Sequence, residues 1–236
     1  MSTAEDVKKE MQKLANPEKA KVLMRFFKTG KGQYGEGDIF LGIMVPEQRT
    51  VSKKFDLELA EIRKLLESKI HEHRLVALFI LIRNYNKSED EESRKKIFDF
   101  YLKNTKHINN WDLIDLSAVK ILGEYLINKP DDDRKIIYKL ADSSNIWERR
   151  IAILTTFQFI KNGKFEDSLK VAEILLKDKH DLIHKSVGWM LREIGKRDQE
   201  AEENFLKKHY KKMPRTMLRY AIERFDKSKR EFYMRK

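Results

Sequence analysis

Cysteine is absent from the 236 residues. That excludes disulfides, zinc–thiolate centres and a thiol nucleophile, and it fits a reducing compartment. Proline occurs four times and glycine nine times, so little interrupts a helix anywhere in the chain. Strand-like alternation bounded by turn residues is nearly missing. No stretch approaches the ~18 consecutive apolar residues of a membrane span, and the opening MSTAEDVKKEMQKLANPEKA offers no apolar run fit for a secretion signal. A soluble protein without membrane contact is expected, cytoplasmic by this reading.

What the chain has in excess is positive charge. Lys and Arg number 50 against 38 Asp and Glu, a formal net charge of +12. Such a surplus favours polyanionic partners: DNA, RNA or an acidic membrane surface. It is uneven, because residues 197–236 hold 13 Lys/Arg and 7 Asp/Glu. The charged fraction is 37% and the apolar fraction 41%, which suits a protein with much surface, such as an elongated helical array. Aromatics at 10% and regularly spaced apolar residues exclude a disordered chain.

The segments VLMRFF, LVALFILIRNY, LSAVKILGEYL, IAILTTFQFI, SVGWMLREI and MLRYAIERF each place apolar residues at three-and-four spacing. Helical but more polar segments, among them SRKKIFDFYLKN and FEDSLKVAEILLKD, lie between them. A small residue sits within each later apolar segment: Ala77, Ala118, Ala152, Gly188 and Ala221, at intervals of 41, 34, 36 and 33 residues. Such periods mean paired helices stacked side by side, with the small residue letting neighbours approach. The expected fold is therefore all-α: HEAT-like helical repeats in one domain over 1–236, stacked into a curved superhelix with a concave basic groove. Arg74, Asp115, Arg149, Arg150 and Lys185 precede the small residues and are expected to form a ladder along that groove.

Several motifs carry possible chemistry. GKGQYG (30–35) fits G-x-G-x-x-G, but a nucleotide loop needs a strand before it and a helix directly after. Here an apolar helix precedes it, so the glycine-rich stretch 28–38 reads as a flexible loop between the first helices. HDLIH (180–184) spaces two histidines one turn apart, yet Asp181 stands where a zincin needs glutamate and no third ligand is evident. His71 and His73 alternate at a helix start and do not face each other. No metal and no cofactor are expected. DSSNIWERRIAIL (142–154) has a serine–asparagine helix start followed by Arg149 and Arg150; two arginines in a first turn oppose the helix dipole unless an anion binds there, and phosphate is the obvious one. NNWDLIDLSA (109–118) sets Trp111 one turn before Asp115, on the same face. An indole beside a carboxylate suits a site that holds positive charge. Asp112 between them reads as a structural or helix-starting acid. In SVGWMLREIGK (186–196), Trp189 follows the small Gly188 and could share a groove with Trp111, whereas Trp147 reads as core.

At these residues the chain resembles the AlkD-type family of DNA alkylation repair proteins, the HEAT-like repeat DNA glycosylases. The resemblance runs from about ANPEKA (15–20) to MLREIGK (190–196) and is carried by FLGIMVPEQR (40–49), NWDLID (110–115), SNIWERRIAIL (144–154) and VGWMLREIGK (187–196). It implies a monofunctional glycosylase of base excision repair acting on double-stranded DNA, removing cationic alkylated purines such as 3-methyladenine and 7-methylguanine. It implies Trp111 and Trp189 as the aromatic pair at the lesion, Asp115 as the catalytic carboxylate and Arg150 on backbone phosphate, with Arg149 and Lys185 beside it. A monomer, nucleoid-associated when on DNA, is expected. The chain departs from the pattern at Asn110, where relatives carry a second tryptophan, and at Phe26 and Phe27, where a tyrosine is sometimes found.

The residues suit that reaction. An alkylated purine is already cationic and leaves without a general acid. Positive charge then moves to the sugar, where a carboxylate stabilises it more than it stabilises the starting state. No lysine is singled out as a Schiff-base nucleophile, so strand cleavage is not expected. Two alternatives are a non-catalytic helical-repeat protein binding damaged or branched DNA, and a helical adaptor for a protein partner.

Overall fold

Helices carry the chain, and the residue pattern explains where each begins. The computed structural model describes residues 2–235. Its backbone gathers into two compact units, Met1–Ser117 and Ala118–Lys236. The first contains α1 (Ala4–Gln12), α2 (Pro17–Phe26), α3 (Val45–Lys53), α4 (Leu59–Leu66), α5 (His71–Lys87) and α6 (Glu91–Lys103), and α7 (Trp111–Ala118) closes it. Short polar side chains start three of these helices. Thr3, Asn16 and Asp90 accept hydrogen bonds from first-turn amides of α1, α2 and α6.

Helix α5 is the spine of the first unit. It packs on α3, α4 and α6, and its residues from His71 to Ile82 are all buried. A helix apolar all round belongs inside. Its polar first turn, His71-Glu72-His73-Arg74, is buried with it, which demands partners for every charge. Glu72 shows how this is met: its carboxylate accepts from the amides of Leu41, Gly42 and Ile43. Gly42 has φ +84, and a Cβ there would fall 2.1 Å from the Asn16 carbonyl oxygen, so only glycine fits. Arg74, expected on a groove ladder, is instead buried and paired with Asp38 through Nη2 to Oδ1 at 2.7 Å. The interior position of the whole first turn overrides the repeat register there.

The second unit opens with a π-helical turn at Val119–Gly123 and α8 (Glu124–Leu126), then α9 (Asp131–Ala141), α10 (Ile146–Thr155), α11 (Phe157–Lys161), α12 (Glu166–Ile174), α13 (Asp181–Gly195), α14 (Gln199–His209), α15 (Arg215–Ala221) and α16 (Lys227–Met234). Asn145 caps α10 by accepting from the Trp147 amide at 3.0 Å, as the serine–asparagine signal predicts. The helices pair, α9 with α10 and α12 with α13, and α10, α13 and α15 pack in succession. That is the helical-repeat arrangement the small residues imply. Ala152, Gly188 and Ala221 are buried within α10, α13 and α15. At Gly188 the approach is close: a Cβ would sit 2.3 Å from the Met217 carbonyl oxygen and 2.5 Å from Tyr220 Cβ. No helix among the described residues is long and apolar enough to cross a membrane.

Candidate active site

The first turn of α7 is fixed by side chains that the sequence itself supplies. Asn110 Oδ1 accepts from the Trp111 amide at 2.8 Å, and Asp112 Oδ1 accepts from the Leu113 amide at 2.8 Å. Asn110 is fully buried and also donates from Nδ2 to Asp38 Oδ2 at 3.4 Å. An indole in its place could neither accept from the helix start nor reach the carboxylate in this way. The departure at residue 110 thus belongs to the cap of the helix.

From this helix Trp111 and Asp115 both line one cavity of about 370 Å³ in the first unit. Its walls are largely apolar and aromatic: Leu23 and Phe26 of α2 and Phe27 just after it, then Phe40, Ile43, Met44 and Val45, with Leu75 and Leu116. Asp115, half-buried, is among its few charged linings, together with His71, Glu72 and Asp112. The size suits a small planar ligand. Trp111 stacks on Phe27 with ring centres 5.2 Å apart and planes at 21°, and meets Phe26 edge-on at 5.9 Å. Phe27 is buried and stacks on Phe40, while Phe26 is 61% exposed. The two phenylalanines divide the work of a wall: one supports the indole from behind, the other stands in solvent beside it.

The glycine-rich loop, whose role the sequence leaves open, belongs to this site. It is not slack. Gln33, Gly35, Glu36 and Asp38 amides each donate to a carbonyl a few residues earlier, and Lys28 adopts φ +54 to turn the chain out of α2. The turns carry Tyr34 back, so that Trp111 Nε1–H donates to the Tyr34 hydroxyl oxygen at 3.3 Å. They end at Asp38, whose Oδ2 lies 3.1 Å from His71 Nδ1; His71 Nε2 in turn lies 2.8 Å from Asp112 Oδ2. Tyr34, Asp38 and His71 are missing from the sequence-level site. The available signal was the polar quartet 71–74 set directly before a long apolar run.

The remaining expected residues lie in the second unit. Trp189 is half-buried on α13; its Nε1–H donates to Glu193 Oε1 at 3.3 Å and its ring lies 5.9 Å from Phe157. Burial pushes the Glu193 carboxyl upward, but hydrogen bonds from Lys196, Arg197 and Trp189 outweigh it and hold it below the usual range. Arg149 binds Asp178 Oδ2 through Nε at 2.6 Å and donates from Nη1 to the carbonyls of Ser143 and Ser144, each at 2.9 Å. Arg150 is buried and donates from Nη1 to the Leu182 carbonyl at 2.7 Å. Lys185 pairs with Asp181 at 2.7 Å across one turn. An open groove of about 500 Å³ beside α10 is lined by Arg149, Lys177, Lys179 and His180, with Asp142 and Asp178. Trp147 is buried, as its core reading requires.

The sequence model of a family described as DNA alkylation repair enzyme matches residues 7–225. No curated protein matches the chain. Several solved structures are similar, two of them over most of the chain. One is described as a predicted DNA alkylation repair enzyme from Enterococcus faecalis; it is 19% identical, with a TM-score of 0.68 over 90% of this chain and 97% of its own. The other, smu.31 from Streptococcus mutans UA159, is 17% identical, with a TM-score of 0.57 over 95% of this chain and 100% of its own. At these identities the likeness speaks for the fold alone.

Proposed function

Because this chain belongs to the DNA alkylation repair enzyme family, we propose that it is a monofunctional glycosylase that hydrolyses the N-glycosidic bond of cationic alkylated purines, 3-methyladenine and 7-methylguanine, in double-stranded DNA. The observation that carries the reading is the Asp115 carboxylate on an aromatic-walled cavity, one helical turn from a braced Trp111.

The chemistry asks little beyond that. The glycosidic bond breaks and its electron pair neutralises the cationic base, which leaves as a neutral purine. Positive charge passes to the sugar, and water adds to C1′ with loss of a proton to Asp115 or solvent. A carboxylate about 4 Å from that charge, at an effective dielectric near 20, supplies roughly 4 kcal/mol, or about a thousandfold in rate. Indole faces add roughly 0.5–2 kcal/mol each toward a cation. Trp111 fills that role at the Asp115 cavity in this reading, and Trp189 offers an indole in the second unit. Lys185 and the basic groove beside α10 engage backbone phosphate, while Arg149 and Arg150 act by fixing the helix starts that frame the groove.

The test is Asp115→Asn. Incubation with methylated duplex DNA, followed by chromatography of free bases, should show release slowed by roughly a thousandfold, with DNA affinity within a few-fold of the parent. Undiminished release by the variant overturns the mechanism.

A further inference from the structure

Asp38, His71 and Asp112 come from three separate segments, yet they form one buried line that runs into the wall of the Trp111–Asp115 cavity at His71 and Asp112. His71 is 1% exposed and has a carboxylate oxygen at each ring nitrogen, 3.1 and 2.8 Å away. A neutral imidazole has a single N–H, and an ionised carboxylate can only accept. With a neutral ring, one of these contacts would set lone pair against lone pair. The doubly protonated ring satisfies both. Arg74 completes the balance on the far oxygen of Asp38, so two carboxylates face an imidazolium and a guanidinium.

We propose that this line is a positioning device: the His71 imidazolium, held by Asp38, clamps Asp112 in the first turn of α7 and so aims Asp115 and Trp111 at the cavity. The inference rests on the glycosylase reading of Asp115. Two further contacts argue for it. Asp112 lies three residues before Asp115 and its other oxygen already caps the helix at Leu113. The imidazole also stacks on Phe40 at 4.5 Å and lies 5.0 Å from Phe27, the ring that supports Trp111. Both elements of the site therefore rest on one side chain.

The charged groups facing His71 are Asp38 from the loop, Arg74 from its own helix and Asp112 from α7; the neighbouring Glu72 is turned to the amides of 41–43. Burial and Arg74 push the ring's affinity for protons down, but Asp112 and Asp38 push it further up, above its ordinary value. Its folded pKa being raised, the clamp holds while the ring is protonated between ionised carboxylates and is lost as pH rises through that value.

Base release by the full chain, followed from pH 6 to 9.5, tests this. The parent should lose turnover along a one-proton alkaline limb. His71→Gln, which offers a donor to only one carboxylate, should lower kcat by on the order of tenfold to a hundredfold with KM nearly unchanged. Asp112→Asn lets the amide donate to the Nε2 of a neutral ring, keeping clamp and charge balance without the proton. It should recover turnover relative to His71→Gln and lack the alkaline limb. A folded His71→Gln with parental kcat and profile, or an Asp112→Asn that keeps the limb, overturns the proposal. Nitrogen NMR of the parent at pH 6.5 decides it even if the variants do not fold: two protonated ring nitrogens support the clamp, a single N–H refutes it. Absence of base release by the parent would defeat the glycosylase reading, and the NMR result would still judge the clamp.

Discussion

At the scale of single residues, the indole of Trp111 is held on two sides by groups far from it in sequence. Phe27 supports its face and the Tyr34 hydroxyl takes its N–H. A wall that meets a cation works best when it cannot turn away, because the cost of ordering it is met in the folded state. Tyr34→Phe removes only the acceptor, a hydrogen bond with a net worth of roughly 0.5–1.5 kcal/mol. The expected result is a several-fold fall in kcat for base release, a melting temperature lowered by no more than about 6 °C, and altered Trp111 fluorescence. An equal fall in stability and no change in kcat would make Tyr34 a folding residue instead. Glu193 does the same for Trp189 from one turn away on its own helix, where an i, i+4 pair makes the contact readable in the sequence. Tyr34 cannot be read that way, since 77 positions separate it from Trp111.

At the scale of elements, what was legible follows from local rules and what was not follows from long-range ones. Apolar spacing located the helices, Asn145 marked the start of α10, and the small residues marked close approaches such as Gly188. Trp111 and Asp115 were legible as a pair because one helix carries both, and they do line one cavity. Arg74 was misplaced because its partner, Asp38, lies at the end of a loop whose path no local rule gives. The π-helical turn after α7 has no recognised local signal either. Gly188 is where the close approach of α13 and α15 can be tested. Alanine there would press its Cβ on the α15 backbone at Met217 and on Tyr220, so α13 must shift. Overpacking of this kind costs about 1–3 kcal/mol. Denaturant unfolding of Gly188→Ala should show that loss, and base release should fall with it because Trp189 is the next residue. A variant as stable as the parent would mean the two helices part at little cost, and the small-residue account of the repeat would be wrong.

At the scale of the whole molecule, the +12 net charge sets how binding answers to salt. Each neutralised phosphate releases counterions from the duplex, so log K falls with log salt at about −0.9 per contact. Six contacts would give a slope near −5, and doubling the salt would weaken binding roughly 30–40-fold. Half of this charge lies in the last 40 residues, with 13 Lys/Arg against 7 Asp/Glu, and the other half is spread over the rest of the chain, so no single side chain should dominate. Lys185→Ala is therefore expected to make the slope shallower by about 1 and to weaken binding at 0.1 M salt, since the Asp181 carboxylate it pairs with is left unneutralised. Fluorescence anisotropy of a labelled undamaged duplex, titrated at four salt concentrations, measures both. A slope near zero would remove the electrostatic basis for DNA binding. A steep slope that Lys185→Ala leaves untouched would keep DNA binding but move the phosphate contact away from the start of α13.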